Sequence, residues 1–440
     1  MVIPMTRFQA PRGTRDLTPD IASAFDVIAR AIGERATRYG YPRIETPAIE
    51  DVQVFARSAG ETSDVVSKEM YAATLHGEGG LGLRPEGTAP VVRAYLEHGM
   101  HRAPHPVRLY YFETMFRGQR PQLGRWRQFW QWGLECFGAA EAAVDIEVIE
   151  FTDSAYRELG LTEYDLEVNT IGDAKCRGRV REALRAYFEP HRASLSEDSR
   201  RRLDTNVLRV LDSKEERDQE IVDRAPRIVD LLCEEDVAHF DAVKSGLERL
   251  GVRFVVNDRL VRGLDYYTRT VFELILTNEK FRGRRLSVAG GGRYDGLVET
   301  MGGPATPGTG VAGGVDVLHL ALEAQGTTPA AETSPQVYVI SNEPDDGTDR
   351  LQLATQLRAA GFRTAIDYSR RGLDRQLESA AKHGAKVAII RGTPEARGGN
   401  VIVRDLATGR QRVTRLNALL TVVASHLGMR NPRADDPGAA

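Results

Sequence analysis

The sequence predicts an α+β protein: an antiparallel sheet flanked by helices and interrupted by a helical insertion, followed by a separate α/β domain. Three observations predict this class: an aromatic, β-favouring segment at 107–137, helical spacing of apolar residues at 172–250, and strand–helix alternation from 336 onward. At 440 residues the chain exceeds the roughly 250 to 300 that one hydrophobic core supports, so at least two domains are expected.

The first domain is predicted to span residues 1–326. Residues 17–39 space apolar side chains three and four apart behind a Thr-Pro-Asp start, which predicts an amphipathic helix packed on a sheet. Residues 107–137 form two β-favouring runs separated by GQRPQLG, which predicts two long antiparallel strands joined by a loop. The mainly helical insertion is expected at about 172–250, and strands resume after it.

The second domain is predicted to span residues 336–428 and to follow a Pro/Thr/Ala linker at 327–335. Its order is strand, helix, strand, helix, strand, strand, helix, which indicates a largely parallel sheet covered by helices. Residues 429–440 are expected to form a disordered tail.

Composition limits the functional classes. The chain has 59 basic and 62 acidic residues and a net charge of −3, which argues against non-specific coating of nucleic acid. Its three cysteines lack metal-like spacing and are expected to be core thiols in a reducing compartment. With no signal-peptide pattern and no apolar run of about 18 residues, the sequence favours a cytoplasmic protein.

The stretch FRGQRPQLGRWRQFWQWG, residues 116–133, concentrates arginine among aromatic residues. Strand parity predicts one polar face and one core face. The predicted polar face carries Arg125, Arg127, Phe129, Gln131 and Glu135, and the predicted core face carries Trp126, Trp130, Trp132 and Leu134. Arginine forks suit phosphate, so the polar face indicates a ligand cavity. An exposed face laced with salt bridges is the alternative interpretation.

The same stretch resembles motif 2 of a class II aminoacyl-tRNA synthetase, specifically of the histidyl-tRNA synthetase family. Gln119 stands where the family has glutamate, and Trp130 where it has histidine. Other segments resemble the family in the same order: IETPAIEDVQVFARSAGETSDVVSKEMY, LRPEGTAP, VRGLDYYTRTVFE and AGGGRYDGL. The likeness runs from about Pro11 to Leu427, and RGLDYYT is its most specific part.

The resemblance implies ATP-dependent activation of L-histidine to histidyl-adenylate, followed by transfer to tRNA(His). It implies a class II sheet, a C-terminal anticodon-binding domain, Mg²⁺ with ATP, a homodimer formed through motif 1, and no enzyme nucleophile. Such a reaction depends on positioning and on cations aimed at developing charge. The implied catalytic cations are Arg262 and Arg117, and no protein metal ligand is implied.

The implied binding residues fall into two groups. Those for histidine are Glu86, Gly87, Thr88, Arg117, Gln131, Glu135, Arg262, Tyr266 and Tyr267. Those for ATP are Arg117, Gln119, Arg125 and Phe129, with Phe129 stacking on adenine. Structural alternatives remain: Thr88 as a helix N-cap, and the tyrosine pair as core.

The segment GTGVAG, residues 308–313, satisfies GxGxxG, but no buried strand precedes it, so a dinucleotide site is rejected. The resemblance identifies this segment as motif 3, in which Val317 replaces an arginine that holds the γ-phosphate. Two hypotheses follow. In the first, ATP is held by other groups, such as Arg120, Arg127 or magnesium, and ligase activity is kept. In the second, the chain is a histidine-binding paralogue with weakened catalysis and a regulatory role. Such paralogues normally lack the C-terminal domain.

In the second domain, Arg370, Arg371 and Arg375 surround a predicted helix start. They are candidate RNA contacts, and a solvated helix face is the equally weighted alternative.

Overall fold

A computed structural model describes residues 8–59, 68–75, 78–343, 346–396 and 398–429. The chain divides into two compact units, Met1–Ala331 and Glu332–Ala440, and the division falls inside the segment that the sequence marks as a linker. Of the tail expected at 429–440, residues 430–440 lie outside the described residues. Within the described ranges, no helix has the length and hydrophobicity required to cross a membrane.

The first unit contains a three-stranded sheet, a seven-stranded sheet and ten helices within its described residues. The small sheet has the order β1-β3-β2, with strands β1 Ile49–Asp51, β2 Tyr71–Leu75 and β3 Glu78–Leu83. The large sheet has strands β4 Val107–Phe116, β5 Gln128–Phe137, β6 Tyr164–Thr170, β7 Val255–Val256, β8 Thr268–Leu276, β9 Ser287–Arg293 and β10 Gly308–Gly314. Its order is β4-β5-β10-β9-β8-β6-β7, and every pair is antiparallel except β6 with β7. The antiparallel sheet predicted from the sequence is confirmed.

The helices of the first unit cover the sheet or build the insertion. They are α1 Pro19–Arg38, α2 Val52–Ala59, α3 Thr88–Glu97, α4 Ala142–Glu158, α5 Ala174–Phe188, α6 Glu197–Thr205, α7 Glu216–Asp223, α8 Glu234–Arg249, α9 Leu297–Thr300 and α10 Val315–Gln325. The predicted first helix is confirmed: Phe25, Ile28 and Ile32 of α1 are buried at helical spacing in the core beneath the sheet.

The hairpin of β4 and β5 is confirmed as a long antiparallel pair, with Val107 opposite Phe137 and Phe116 opposite Gln128. Trp132 and Leu134 are fully buried in the core, as parity predicts. The parity argument was wrong for Arg127, which turns to the Arg12 carbonyl, and for Trp126, which is only half-buried and lies on the same cavity wall as Phe129. Strand β5 begins only at Gln128, and alternation of faces holds only within a strand.

The segment predicted as a mainly helical insertion, 172–250, contains helices α5 to α8, from Ala174 to Arg249, and no strand. Helices α5 to α7 bury Val180, Leu184 and Leu203 in one cluster. In contrast, α8 buries Phe240, Val243 and Leu247 in the core shared with α4 and the large sheet. Helix α8 therefore belongs to the layer that covers the sheet, although its helical spacing resembles that of the insertion.

Two of the three cysteines are not core thiols, contrary to expectation. Cys176 in α5 and Cys233 at the N-cap of α8 form a disulfide, with Cα atoms 6.2 Å apart, and only Cys136 is a free buried thiol. The pairing could not be predicted from local spacing, because 57 positions separate the two cysteines.

The second unit has strands β11 Val337–Ser341, β12 Thr364–Ile366, β13 Val387–Arg391, β14 Asn400–Asp405 and β15 Gln411–Arg415, with helices α11 Gly347–Ala359, α12 Leu373–Lys382 and α13 Leu419–His426. The sheet order is β12-β11-β13-β14-β15. Pairs within β12-β11-β13 are parallel, but β14 and β15 pair antiparallel, so the sheet is less parallel than predicted. Strand β15 was missed because four of its five residues are exposed, and apolar alternation is therefore absent.

Candidate functional site

A cavity of about 580 Å³ opens on one face of the large sheet. Its walls come from β5, β8, β9 and β10, from the loop between β4 and β5, from residues 261–267, and from an insertion loop at 212–215. Ten of the predicted site residues line it: Glu86, Thr88, Arg117, Gln119, Arg125, Phe129, Gln131, Arg262, Tyr266 and Tyr267. The remaining two, Gly87 and Glu135, adjoin the lining residue Thr88: Gly87 precedes it in the chain, and Glu135 accepts a hydrogen bond from its hydroxyl.

One end of the cavity is lined by carboxylates and tyrosines. Glu135 is fully buried; its Oε1 accepts a 2.7 Å hydrogen bond from Thr88 Oγ1, and its Oε2 accepts one from the Tyr294 hydroxyl. The Tyr266 ring centroid lies 4.7 Å from that of Tyr267 and 5.7 Å from that of Tyr294. This end is therefore a polar pocket with aromatic walls.

The Glu86 carboxylate caps α3, which bears on whether Thr88 is a helix N-cap or a ligand-binding residue. The Glu86 carboxylate accepts hydrogen bonds from the backbone N–H groups of Thr88 at 2.7 Å and Ala89 at 2.9 Å. Thr88 is the first residue of the helix, Gly87 is its N-cap, and the Thr88 hydroxyl points to Glu135 instead of capping. Gly87 lies against the Tyr111 ring, which a Cβ would overlap.

Burial changes the protonation of these carboxyls. Desolvation raises the pKa of Glu135 to about 8, although the hydrogen bonds from Tyr294 and Thr88 lower it. Desolvation also raises the pKa of Glu86, opposed by the two backbone N–H donors and by Arg117. The pocket is thus poised to accept a positive or hydrogen-bonding ligand that restores charge to its carboxylates.

Gln131 supplies an unused acceptor to the same end of the cavity. Its Oε1 atom is buried and has no hydrogen-bond partner among the described residues. A buried polar atom without a partner is costly, so its position on a cavity wall indicates a ligand donor.

Two half-buried guanidinium groups, those of Arg117 and Arg262, flank this pocket. Arg117 Nε donates to the Pro85 carbonyl at 2.8 Å, and its guanidinium carbon lies 5.2 Å from the Phe129 ring centroid. Burial lowers the pKa of Arg117, while the nearby Glu69 and Glu86 raise it. The Arg117 guanidinium therefore lies beside an aromatic face that is open to the cavity.

The guanidinium carbon of Arg262 lies 5.7 Å from the Tyr267 ring centroid, and its Nη1 pairs with Glu273. Desolvation lowers the pKa of Arg262, but the Glu273 carboxylate together with Tyr267 and Tyr266 outweighs it, so the net pKa is raised. Arg262 therefore stays charged although it is largely shielded from solvent.

Gly290 of β9 makes room for Arg262. A Cβ built on Gly290 would lie 2.5 Å from Arg262 Nη1. In the sheet register, Gly290 stands opposite Glu273 of β8, the partner of Arg262. The glycine-rich strand therefore allows the guanidinium to lie flat on the sheet.

The loop between β4 and β5 sends its arginines in different directions. Arg125 lines the cavity, and Gln119 donates to the Trp126 carbonyl at 3.0 Å. Arg127 turns away, donating to the carbonyls of Gln119 at 3.3 Å and Arg12 at 3.1 Å. Neither Arg127 nor Arg120 lies on the cavity wall, so the geometry does not support the suggestion that they hold a phosphate.

Val317 also lines the cavity, and its Cγ2 atom lies 3.5 Å from the position of a Cβ on Gly124. The GxGxxG segment is strand β10, paired with β5 and β9, which agrees with rejecting a dinucleotide loop. Sequence reasoning missed several charged and polar residues of the wall, among them Tyr294, Glu273, Arg285, Asp212 and Lys214. The only signal for Tyr294 and Glu273 was their place in the quoted segments AGGGRYDGL and VRGLDYYTRTVFE.

Comparisons with known proteins agree with this geometry. The family model for histidyl-tRNA synthetase matches residues 13–318, and an anticodon-binding domain model matches residues 336–426. The chain is 42% identical over 413 residues to the histidine–tRNA ligase of Desulforamulus reducens, covering 94% of this chain and 98% of the relative. It is 44% identical over 410 residues to that of Pelotomaculum thermopropionicum, covering 93% and 96%.

Among solved structures, the apo histidyl-tRNA synthetase of S. aureus superposes with a TM-score of 0.81 at 35% identity, covering 95% of this chain and all of that one. Family model, relatives and fold agree, and the chain therefore belongs to the histidyl-tRNA synthetase family of class II aminoacyl-tRNA synthetases, the histidine–tRNA ligases.

Proposed function

We propose that the cavity activates L-histidine with ATP and that the enzyme transfers the histidyl group to tRNA(His). The observation that carries the proposal is the convergence of Arg117, Arg262, Tyr267 and the Glu135–Thr88 pair around one cavity. The cavity therefore contains groups that can bind the carboxylate and imidazole of histidine and the triphosphate of ATP.

Histidine binds at the carboxylate end. Its ammonium group is met by Glu86, Thr88 and the unpartnered Gln131 Oε1, all of which can accept hydrogen bonds. Its imidazole needs one donor and one acceptor, and these are supplied by a tyrosine hydroxyl of the Tyr266–Tyr267 pair and by Glu135. An isosteric amino acid without two ring nitrogens leaves these buried groups unpaired and is rejected.

ATP binds beside Arg117. Its adenine stacks on Phe129, with Gln119 and Arg125 on the same side of the cavity, and its α-phosphate lies between Arg117 and Arg262. The histidine carboxylate attacks that phosphorus and pyrophosphate leaves. The two guanidinium groups are fixed before the reaction, so they stabilise the charge that develops on the phosphate oxygens.

Mg²⁺ enters the proposal as part of the substrate MgATP. Within the described ranges, the one cluster of metal-ligating side chains comprises Asp173, Cys176, Cys233 and Asp236, and none of these lines the cavity. Phosphate oxygens are the usual principal ligands of Mg²⁺ in nucleotide sites.

The second unit binds the anticodon region of the tRNA. Its exposed Tyr368, with 72% of its surface accessible, precedes the exposed Arg370, Arg371 and Arg375. An aromatic ring among arginines suits stacking on an unpaired base with contacts to the backbone phosphates.

The assembly is a homodimer in the cytoplasm. The dimer rests on the resemblance of the segment that contains β1 and α2 to motif 1, and sedimentation as a monomer alone at micromolar concentration would contradict it. The compartment follows from the tRNA substrate.

Histidine-dependent exchange of pyrophosphate into ATP, followed by charging of a tRNA(His) transcript with labelled histidine, tests the proposal. Both reactions are expected with the wild-type protein. Histidine binding without exchange would instead favour the regulatory paralogue, an alternative that gains no support from the C-terminal anticodon-binding module.

A further inference from the structure

The far end of the cavity holds a cation that the roles assigned so far do not use. Arg285 lies on the cavity wall in the loop immediately before β9. Its Nη1 donates to Glu167 Oε1 at 2.7 Å, and its Nη2 pairs with the other oxygen of Glu167. The Arg285 side chain keeps 35% of its surface exposed, whereas Glu167 keeps 13%. Glu167 therefore fixes the orientation of the Arg285 guanidinium, and the Arg285 side chain remains accessible on the cavity wall.

Arg285 continues a row of groups that begins at the tyrosine pocket. Arg262 stacks on Tyr267 and pairs with Glu273 Oε1. The other oxygen of the same carboxylate, Glu273 Oε2, lies 3.6 Å from Arg285 Nη2. Moving away from the pocket, the next guanidinium after Arg262 is therefore Arg285, across a single carboxylate.

Part of the neighbouring surface is apolar, although charged residues, Arg125, Asp212 and Lys214 among them, also line the cavity. Val317 and Leu286 both lie near the Cβ position of Gly124, at 3.5 Å and 3.8 Å, and they form an apolar floor. Leu286 follows Arg285 in the chain, so the Arg285 guanidinium stands at the edge of this floor. A polyanion that extends over the floor therefore meets Arg285 and receives no charge from Val317.

We propose that Arg285 binds the terminal phosphates of ATP and supplies the charge that Val317 cannot supply. The inference rests on the proposed function and adds a residue to its nucleotide site. A guanidinium has five N–H donors, and the bidentate pair with Glu167 uses two, which leaves donors for phosphate oxygens. Glu167 holds the planar fork in place before ATP arrives, which reduces the entropy cost of binding.

The decisive experiment measures pyrophosphate exchange as a function of ATP and, separately, of histidine. Arg285→Gln is expected to raise the KM for ATP at least about tenfold, equivalent to about 1.4 kcal/mol, with the KM for histidine changed less than about twofold. Arg284→Gln is the matched control, because it removes the same charge one position away from a side chain that does not line the cavity. It is expected to match the wild type.

A second experiment asks whether a new arginine restores the ATP affinity that Arg285→Gln loses. Adding Val317→Arg to Arg285→Gln places a guanidinium on the floor from the α10 side and is expected to recover most of the lost ATP affinity. If Arg285→Gln unfolds because Glu167 loses its partner, the double variant Glu167→Gln/Arg285→Gln removes both charges and must show the same ATP defect.

The outcomes separate this inference from the function on which it rests. A wild-type protein without histidine-dependent exchange contradicts the proposed function itself. A wild type that exchanges, beside an Arg285→Gln variant with unchanged KM for ATP, overturns the assignment of Arg285 alone. An equal defect in Arg284→Gln also overturns it, because the effect is then one of overall charge.

Discussion

At the scale of single residues, the proposed chemistry depends on Arg262 and Glu135. Arg262 stays charged because Glu273, Tyr267 and Tyr266 together outweigh its desolvation, and Glu135 is buried with a raised pKa because its hydrogen bonds compensate only in part. Neither the charge of Arg262 nor the raised pKa of Glu135 can be predicted from the sequence, because each depends on partners that folding brings together. A separate prediction follows from each residue.

Replacing Arg262 with histidine should preserve the fold but remove the guanidinium beside the reacting phosphate. Loss of one preorganised charge costs about 10² to 10³ in rate, so exchange should fall by at least about 100-fold. The matched control is Arg253→His, at an exposed position nine residues earlier in the chain. Unchanged exchange in Arg262→His would remove Arg262 from the mechanism.

The raised pKa of Glu135 predicts a pH-dependent stability. With a pKa of about 8, against the ordinary 4.5, folded Glu135 keeps a proton that the unfolded chain releases. The stability associated with that proton is full below about pH 4.5, is lost as the pH rises toward 8, and levels off above it. Glu135→Gln lacks this loss, so the Tm of the wild type should fall relative to that of the variant between pH 5 and 8. A constant Tm difference across this window would show that Glu135 titrates normally.

At the scale of elements, two strands of the large sheet position the site in different ways: one carries the site's side chains, and the other leaves room for them. Strand β5 presents Phe129, Gln131 and Glu135 on the ligand side, and the glycine-rich β9 lets Arg262 lie close to the sheet. We expect catalytic activity to depend on how these strands position the side chains of the site. A substitution at one glycine tests this expectation.

Gly290→Ala should displace the Arg262 guanidinium, because the new Cβ would lie 2.5 Å from Nη1. The displaced atoms are the end of a flexible side chain, so the Tm should change little while exchange falls at least about tenfold. Gly296→Ala is the control, since a Cβ at that position meets nothing within 4 Å. If both variants keep full activity, the position of Arg262 is not critical.

The sequence predicted those elements whose pattern is local. Alternation along β5 identified Phe129, Gln131 and Glu135 as neighbours and Trp132 as core, because a strand imposes a period of two. The same rule failed for Arg127, which lies before the strand begins. Arg285 could not be predicted, since only the sheet order brings its loop beside Glu167 and Glu273.

At the scale of the whole molecule, each unit has its own task. The first unit contains the cavity, and the second presents the exposed arginines that follow Tyr368. Chemistry and RNA binding should therefore respond to different substitutions.

The double variant Arg370→Gln/Arg375→Gln should raise the KM for tRNA in charging while leaving histidine-dependent exchange within about twofold. If each arginine contacts a phosphate, the slope of log K against log salt should decrease by about 0.7 to 0.9 per lost contact. Arg412→Gln on β15, at the opposite edge of the sheet, is the matched control. An unchanged salt slope in the double variant would indicate a solvated face.

The central claim is that histidine and ATP occupy one cavity, side by side, between fixed guanidinium groups. A crystal structure with L-histidine and a non-hydrolysable ATP analogue tests it most directly. The account predicts the imidazole between Glu135 and the tyrosine pair, with the α-phosphate against Arg117 and Arg262. Ligands in separate cavities, or an α-phosphate away from both arginines, would contradict it.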